Sequence, residues 1–168
     1  MPLPHGQCNL ELIDASRGGF ARVDDTLTGF IHDSEAASGL LLITNDGHWS
    51  RHVTQPQTNM PKVYYVETEQ EITEAYISKF SEGVYFAFED LTTLPASLEL
   101  LGPRSARLSI VEGRYHQVKR MFGFFDNKVV RLHRESIGPL LLDSQLAPGE
   151  YRALSEREVM QFQPSPAN

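Results

Sequence analysis

The stretch EGRYHQVKRM, Glu112 to Met121, sets Arg114, His116, Lys119 and Arg120 close together behind a single glycine. Cations at that density suit two jobs: neutralising phosphates of a polyanion or holding a carboxylate in its ionised form. The chain as a whole argues against the first, because its net charge is -7 and a negative body repels nucleic acid. The distribution restores it. From Arg104 to Arg134 stand Arg104, Arg107, Arg114, Lys119, Arg120, Lys128, Arg131 and Arg134 against only Glu112 and Asp126. The pattern is a basic face on an acidic body.

Other residue types narrow the chemistry. The only cysteine is Cys8, so the chain can form no internal disulfide, which fits a reducing cytoplasm. His48, His52, His116 and His133 show no metal-ligand spacing with acids, so no metal is expected. No glycine-rich phosphate loop is present. Trp49, beside Arg51 and His52, reads better as the apolar anchor of a helix than as an RNA contact. The N-terminus lacks the basic and apolar regions of a signal peptide, and no apolar run is long enough to cross a bilayer, so the expectation is a cytoplasmic protein without a membrane partner.

The elements that must position the basic stretch can be read from periodicity. SGLLLITNDG is a buried strand closed by the turn Asn45-Asp46-Gly47. HWSRHVTQP reads as a short helix ending at Pro56. KVYYVETE, from Lys62, is β-branched and aromatic, hence a strand, and it sets the aromatic Tyr64, expected to be exposed, close to the cation Lys62. ITEAYISKFSEG is a helix stopped by Gly83. ASLELLG and ARLSIVEG form a hairpin through GPRS. From Arg114 to Phe125, Val118, Met121, Phe122 and Phe125 fall on one helical face, with His116 and Arg120 opposite and Lys119 on the flank. KVVRLHRESIG returns to strand, LAPGEYRAL adds a turn and a strand, and Ser155 with Glu158 forms a capping box on a last helix. QPSPAN reads as a disordered tail. Helices and strands alternate irregularly, which predicts an α+β fold with a mixed, largely antiparallel sheet and flanking helices.

EGRYHQVKRMF, followed by NKVVRLHRESIG and LAPGEYRAL, resembles the ribosomal pseudouridine synthases, with the small-subunit type most similar; TNDG and KVYYV add weaker support. The resemblance covers roughly residues 38–162. It implies a cofactor-free isomerisation of a uridine in ribosomal RNA, in which an aspartate starts glycosidic cleavage, the uracil turns over, and C5 is rejoined to the ribose. That chemistry needs an ionised carboxylate, a cation beside it, an aromatic under the loose uracil, and a base flipped out of its stack. By the resemblance, Lys119 is the basic partner of the aspartate and Tyr64 the stacking tyrosine. Lys62, Arg114, His116, Arg120, Arg131 and Arg134 form the expected RNA-contacting set, and a monomer is favoured.

The aspartate itself departs from the family pattern. Members carry Gly-Arg-Leu-Asp, with the acid five residues before the glycine that opens the GLLL strand, and counting back from Gly39 gives Ser34. Asp33 serves if the loop holds a one-residue insertion. Asp24, in ARVDDTLTG, has the right spacing to Arg22 and Gly29 but stands ten residues too early. The remaining reading is that neither is catalytic, leaving an RNA-binding module or a degenerate remnant. The family's usual S4-type domain and Lys-Pro-x-Gly strand have no counterpart in the sequence. The expected organisation is therefore a divergent or poorly ordered segment over 1–37, a catalytic domain truncated at its N-terminus over 38–163, and a tail over 164–168.

Overall fold

A computed structural model of the protein describes residues 11–14, 37–44, 46–114, 116–146 and 151–162. The strands are β1 (Glu11–Asp14), β2 (Ala37–Ile43), β3 (Lys62–Thr68), β4 (Tyr85–Phe86), β5 (Leu91–Thr92), β6 (Ser97–Gly102), β7 (Ser105–Ile110), β8 (Val129–Ile137), β9 (Leu140–Leu141) and β10 (Tyr151–Ala153). The helices are α1 (Gly47–Thr54), α2 (Glu74–Glu82), α3 (Gln117–Gly123) and α4 (Glu156–Met160). The main sheet runs β10-β1-β2-β8-β3-β7-β6, with β9 on β8; β4 and β5 make a separate ribbon. Among the described residues only the β2–β8 pairing is parallel, so the expected mixed, largely antiparallel sheet is what they form.

Local chemistry explains most of the boundaries. The Asp46 carboxylate accepts from the backbone N–H groups of His48 and Trp49, satisfying donors that α1 cannot pair internally. The structure ends α2 at Gly83, which takes φ +102 where a side chain would meet the backbone of Thr93. At α4 the Ser155 side chain and Glu158 form the reciprocal capping box. Glu11–Asp14 comes from the segment in which little periodicity was legible, yet it pairs with β2 on one side and β10 on the other.

Two apolar clusters hold these elements. The larger joins Tyr64 and Val66 of β3, Leu108 of β7 and Leu132 of β8 to Tyr76 and Phe80 of α2 and to Val118, Met121 and Phe122 of α3. The smaller joins Leu40, Trp49, Val53, Ile137 and Phe162. Trp49 lies edge-on to Phe162, 5.1 Å between ring centres, which is the anchoring role its neighbours suggested.

The basic helix is shorter than its apolar spacing predicts. It begins at Gln117, because His116 sits at φ +48 in the left-handed region, where a right-handed helix cannot continue. Arg114 therefore belongs to the preceding loop. At the other end the chain passes through turns to Asp126, also left-handed at φ +54.

Candidate functional site

Strand alternation decides which candidates share a face. On β3 the residues Lys62, Tyr64, Val66 and Thr68 are buried and the intervening Val63, Tyr65 and Glu67 are half-buried. Tyr64 packs in the same cluster as α3, so the tyrosine and the basic helix lie over one side of the sheet. The ring is only 7% exposed, not the open aromatic its sequence context suggested, because the cluster closes over it.

Arg134 stands opposite Tyr64 in the β3–β8 register. Its Nε donates to the Leu40 carbonyl at 2.7 Å and its Nη1 reaches the Tyr64 hydroxyl at 3.4 Å, with the guanidinium carbon 5.9 Å from the ring centre, inside cation–π range. Gly39 makes this approach possible. It holds φ +112, and a Cβ there would run into the backbone of Arg134.

Lys62 lies two residues before Tyr64 on the same side of β3. It is 5% exposed, and among the described residues its Nζ has no hydrogen-bond partner. Burial, and secondarily the charge of Arg134, push its pKa down to about 8. Expected as an RNA contact, it is instead enclosed in the protein.

Arg131 does not join this group. It is registered with Glu67, pairs with that carboxylate at 3.4 Å and lies 5.5 Å from the Tyr65 ring, on the opposite side of the sheet. The odd spacing between Arg131 and Arg134 along one strand enforces this.

The loop before α3 is built around a buried acid. Glu112, 1% exposed, accepts from the Leu94 N–H at 2.8 Å and from Arg114 Nε at 2.9 Å. The buried Gln117 side chain accepts from the Arg114 N–H at 3.1 Å, closing the turn that leaves His116 left-handed. Arg114 is thus fixed at its base and a third exposed at its side chain.

Arg120 is engaged within the fold, where a solvent-facing side chain was expected. Both its terminal nitrogens donate to Glu89, one at 2.7 Å, and its guanidinium lies 3.7 Å from the Phe86 ring centre. Those hydrogen bonds, with the Arg114 charge adding to them, hold the Glu89 carboxyl below its ordinary pKa. Lys119 is half-buried, and among the described residues no acid lies within salt-bridge reach of it. Asp33 and Asp24 lie outside the described residues. Among the described residues no cluster of histidine and acid side chains could hold a metal, and no helix is long and apolar enough to cross a membrane.

Glu112, Gln117, Glu89 and Phe86 were not singled out from sequence. Glu89 and Phe86 are far from α3 along the chain, and nothing in their local pattern marks them as its partners.

On this sheet face Tyr64 is registered with Arg134 and packs in one cluster with α3, and comparison with known proteins gives the class. Residues 34–123 match the RNA pseudouridylate synthase family, and the chain belongs to that family. It is 60% identical over 122 residues to the ribosomal small subunit pseudouridine synthase A of Pseudomonas aeruginosa and 48% identical over 122 residues to that of Escherichia coli K12. Each alignment covers 73% of this chain and 53% of the relative, so the chain spans about half the length of the curated relatives it matches. A crystal structure of a pseudouridylate synthase superposes with a TM-score of 0.81 at 34% identity, covering 94% of this chain and 74% of that one.

Proposed function

We propose that the chain is an RNA pseudouridine synthase that isomerises a uridine of small-subunit ribosomal RNA. The observation that carries this is the placement of Tyr64, Arg134 and Lys62 on the sheet face that α3 covers, in a chain of this family. The high identity to relatives named for the small ribosomal subunit supports the choice of RNA.

In this reading an ionised aspartate, Asp33 before Asp24, attacks to break the C1′–N1 bond. Lys119 supports its charge, since a nearby cation favours the ionised acid. The freed uracil rests against Tyr64 while it turns. C5 then bonds to C1′ as the carboxylate leaves that carbon, the C5 proton departs, and N1 ends protonated. The step uses no cofactor and no oxidant. Arg114 and His116, beside the helix start, face the RNA backbone.

A second reading, RNA binding without isomerisation, has one observation in its favour: Ser34 holds the position five residues before Gly39, where the family's aspartate is expected. Incubating the purified chain with unmodified small-subunit rRNA and analysing the nucleosides separates the two. Pseudouridine in the digest supports the first reading; bound RNA with none formed supports the second.

A further inference from the structure

The ribbon of β4 and β5 carries at its tip Phe88, 96% exposed and the most exposed large apolar side chain among the described residues. Single apolar groups on a surface are ordinary, and one on a loose loop asks for no explanation. Phe88 stands on a braced one. Tyr85 is paired with Thr92 and Phe86 with Leu91, and the Tyr85 hydroxyl donates to Asp90 at 2.7 Å across the turn. At the base of the ribbon the Thr93 N–H donates to the Val84 carbonyl at 2.9 Å. The ribbon is in turn clamped to α3. Arg120 donates to Glu89 at 2.7 Å and lays its guanidinium 3.7 Å from the centre of the Phe86 ring, within cation–π range. Phe86, Glu89 and Asp90 thus each have a partner in the fold, while the ring between them is left to solvent.

The clamp also sets that ring beside the basic loop. Hydrogen bonding from Arg120 holds the Glu89 carboxyl below its ordinary pKa, and the Arg114 charge adds to the effect, so the residue next to Phe88 lies within reach of Arg114. The acids at the tip decide which part of a nucleotide the ring can meet. Arg120 offsets Glu89, but Asp90 keeps its charge at the turn and repels a phosphate. Stacking on an aromatic face needs no charge and accepts any base. The tip suits a base, and the basic loop beside it suits the phosphate that follows.

We propose that Phe88 is a stacking platform for an unpaired base of the bound RNA, on a nucleotide other than the one whose uracil rests against Tyr64. This rests on the RNA reading above and deepens it: the ribbon adds an aromatic contact to the cationic track along Arg114 and His116.

The test pairs protein variants with lesions in the RNA. Fragments of small-subunit rRNA are ranked by affinity for the wild type, and the tightest is remade with one abasic residue moved a position at a time through its unpaired nucleotides. Each is titrated against the wild type, Phe88→Ala, Phe88→Leu and Phe88→Trp. The wild type should lose about tenfold in affinity at one abasic position, the scale of one base stack. Phe88→Ala should show a similar loss on the intact fragment and no further loss at that position. Phe88→Trp should keep tight binding, whereas Phe88→Leu, apolar but without a π face, should not. Phe88→Ala removes no charge and no buried contact, so its salt slope and its denaturation midpoint should match the wild type. Full affinity in Phe88→Ala or in Phe88→Leu overturns the platform while leaving the functional reading intact. An abasic effect that depends on Phe88, in a wild type that forms no pseudouridine, keeps the platform and contradicts the isomerase reading. A wild type that binds none of these fragments overturns both.

Discussion

The Arg134 guanidinium reaches the Tyr64 hydroxyl at 3.4 Å while anchored to the Leu40 carbonyl at 2.7 Å. One arginine thereby ties the central β3–β8 pairing to the parallel strand β2 and fixes the orientation of the ring. Tyr64→Phe should keep the ring and lose only this contact, costing about 0.5–1.5 kcal/mol in urea denaturation and leaving RNA affinity nearly unchanged. Tyr64→Ala should lose the stacking surface as well, weakening RNA binding by a further amount on the order of 1–3 kcal/mol.

Gly39→Ala should be among the most damaging single-methyl substitutions in the chain. The backbone at φ +112 disfavours any side chain, and the added Cβ collides with main-chain atoms of Arg134 that cannot rotate away. A loss of roughly 2–4 kcal/mol in chemical denaturation is expected. An unaffected midpoint would mean that β2 and β8 can separate without penalty.

The basic stretch was legible as a cluster of cations, but not as a set of distinct jobs. Helical spacing places His116 and Arg120 on one open face, whereas the left-handed His116 cuts the helix short and Glu89, from a distant ribbon, captures Arg120. Contacts between residues that far apart leave no periodic trace. Strands β2, β3 and β8, the α2 stop at Gly83, the α4 capping box and the β6–β7 hairpin were readable because turn formers and alternation are local signals. The family motif was readable for the same reason. Burial of Lys62 was not, since nothing local distinguishes an enclosed lysine from an exposed one.

These distinct jobs separate in the salt dependence of RNA binding. Arg114→Met should lower the slope of log affinity against log salt by about one, the signature of one lost phosphate contact. Arg120→Met should leave the slope close to the wild-type value, because both terminal nitrogens of that guanidinium are committed to Glu89, whereas Arg114 meets Glu112 through its Nε. Equal slopes for the two variants would place both arginines in the same role.

Acid should loosen the C-terminal helix first. Glu158 accepts from Arg152 Nη2 at 2.8 Å, from Arg152 Nη1 at 2.9 Å and from the Ser155 N–H at 2.8 Å, and the Arg152 hydrogen bonds hold its pKa down to about 2. Its ordinary value is near 4.3. A depressed folded-state pKa gives stability that is present above the unfolded value and lost as pH falls through the folded one. The denaturation midpoint should therefore drop between about pH 5 and pH 2, and Glu158→Gln should flatten that part of the curve.

The central claim is that this chain isomerises uridine, and C5 chemistry gives its most direct measurement. Forming the C5–C1′ bond expels the C5 hydrogen, so small-subunit rRNA carrying tritium at uridine C5 should release label to water when incubated with the wild type. Release should vanish in Asp33→Asn while RNA affinity hardly changes, with Asp24→Asn as the rival assignment. Wild-type protein that binds the labelled RNA and releases no tritium would contradict the account and leave a binding module whose aspartate position is held by Ser34.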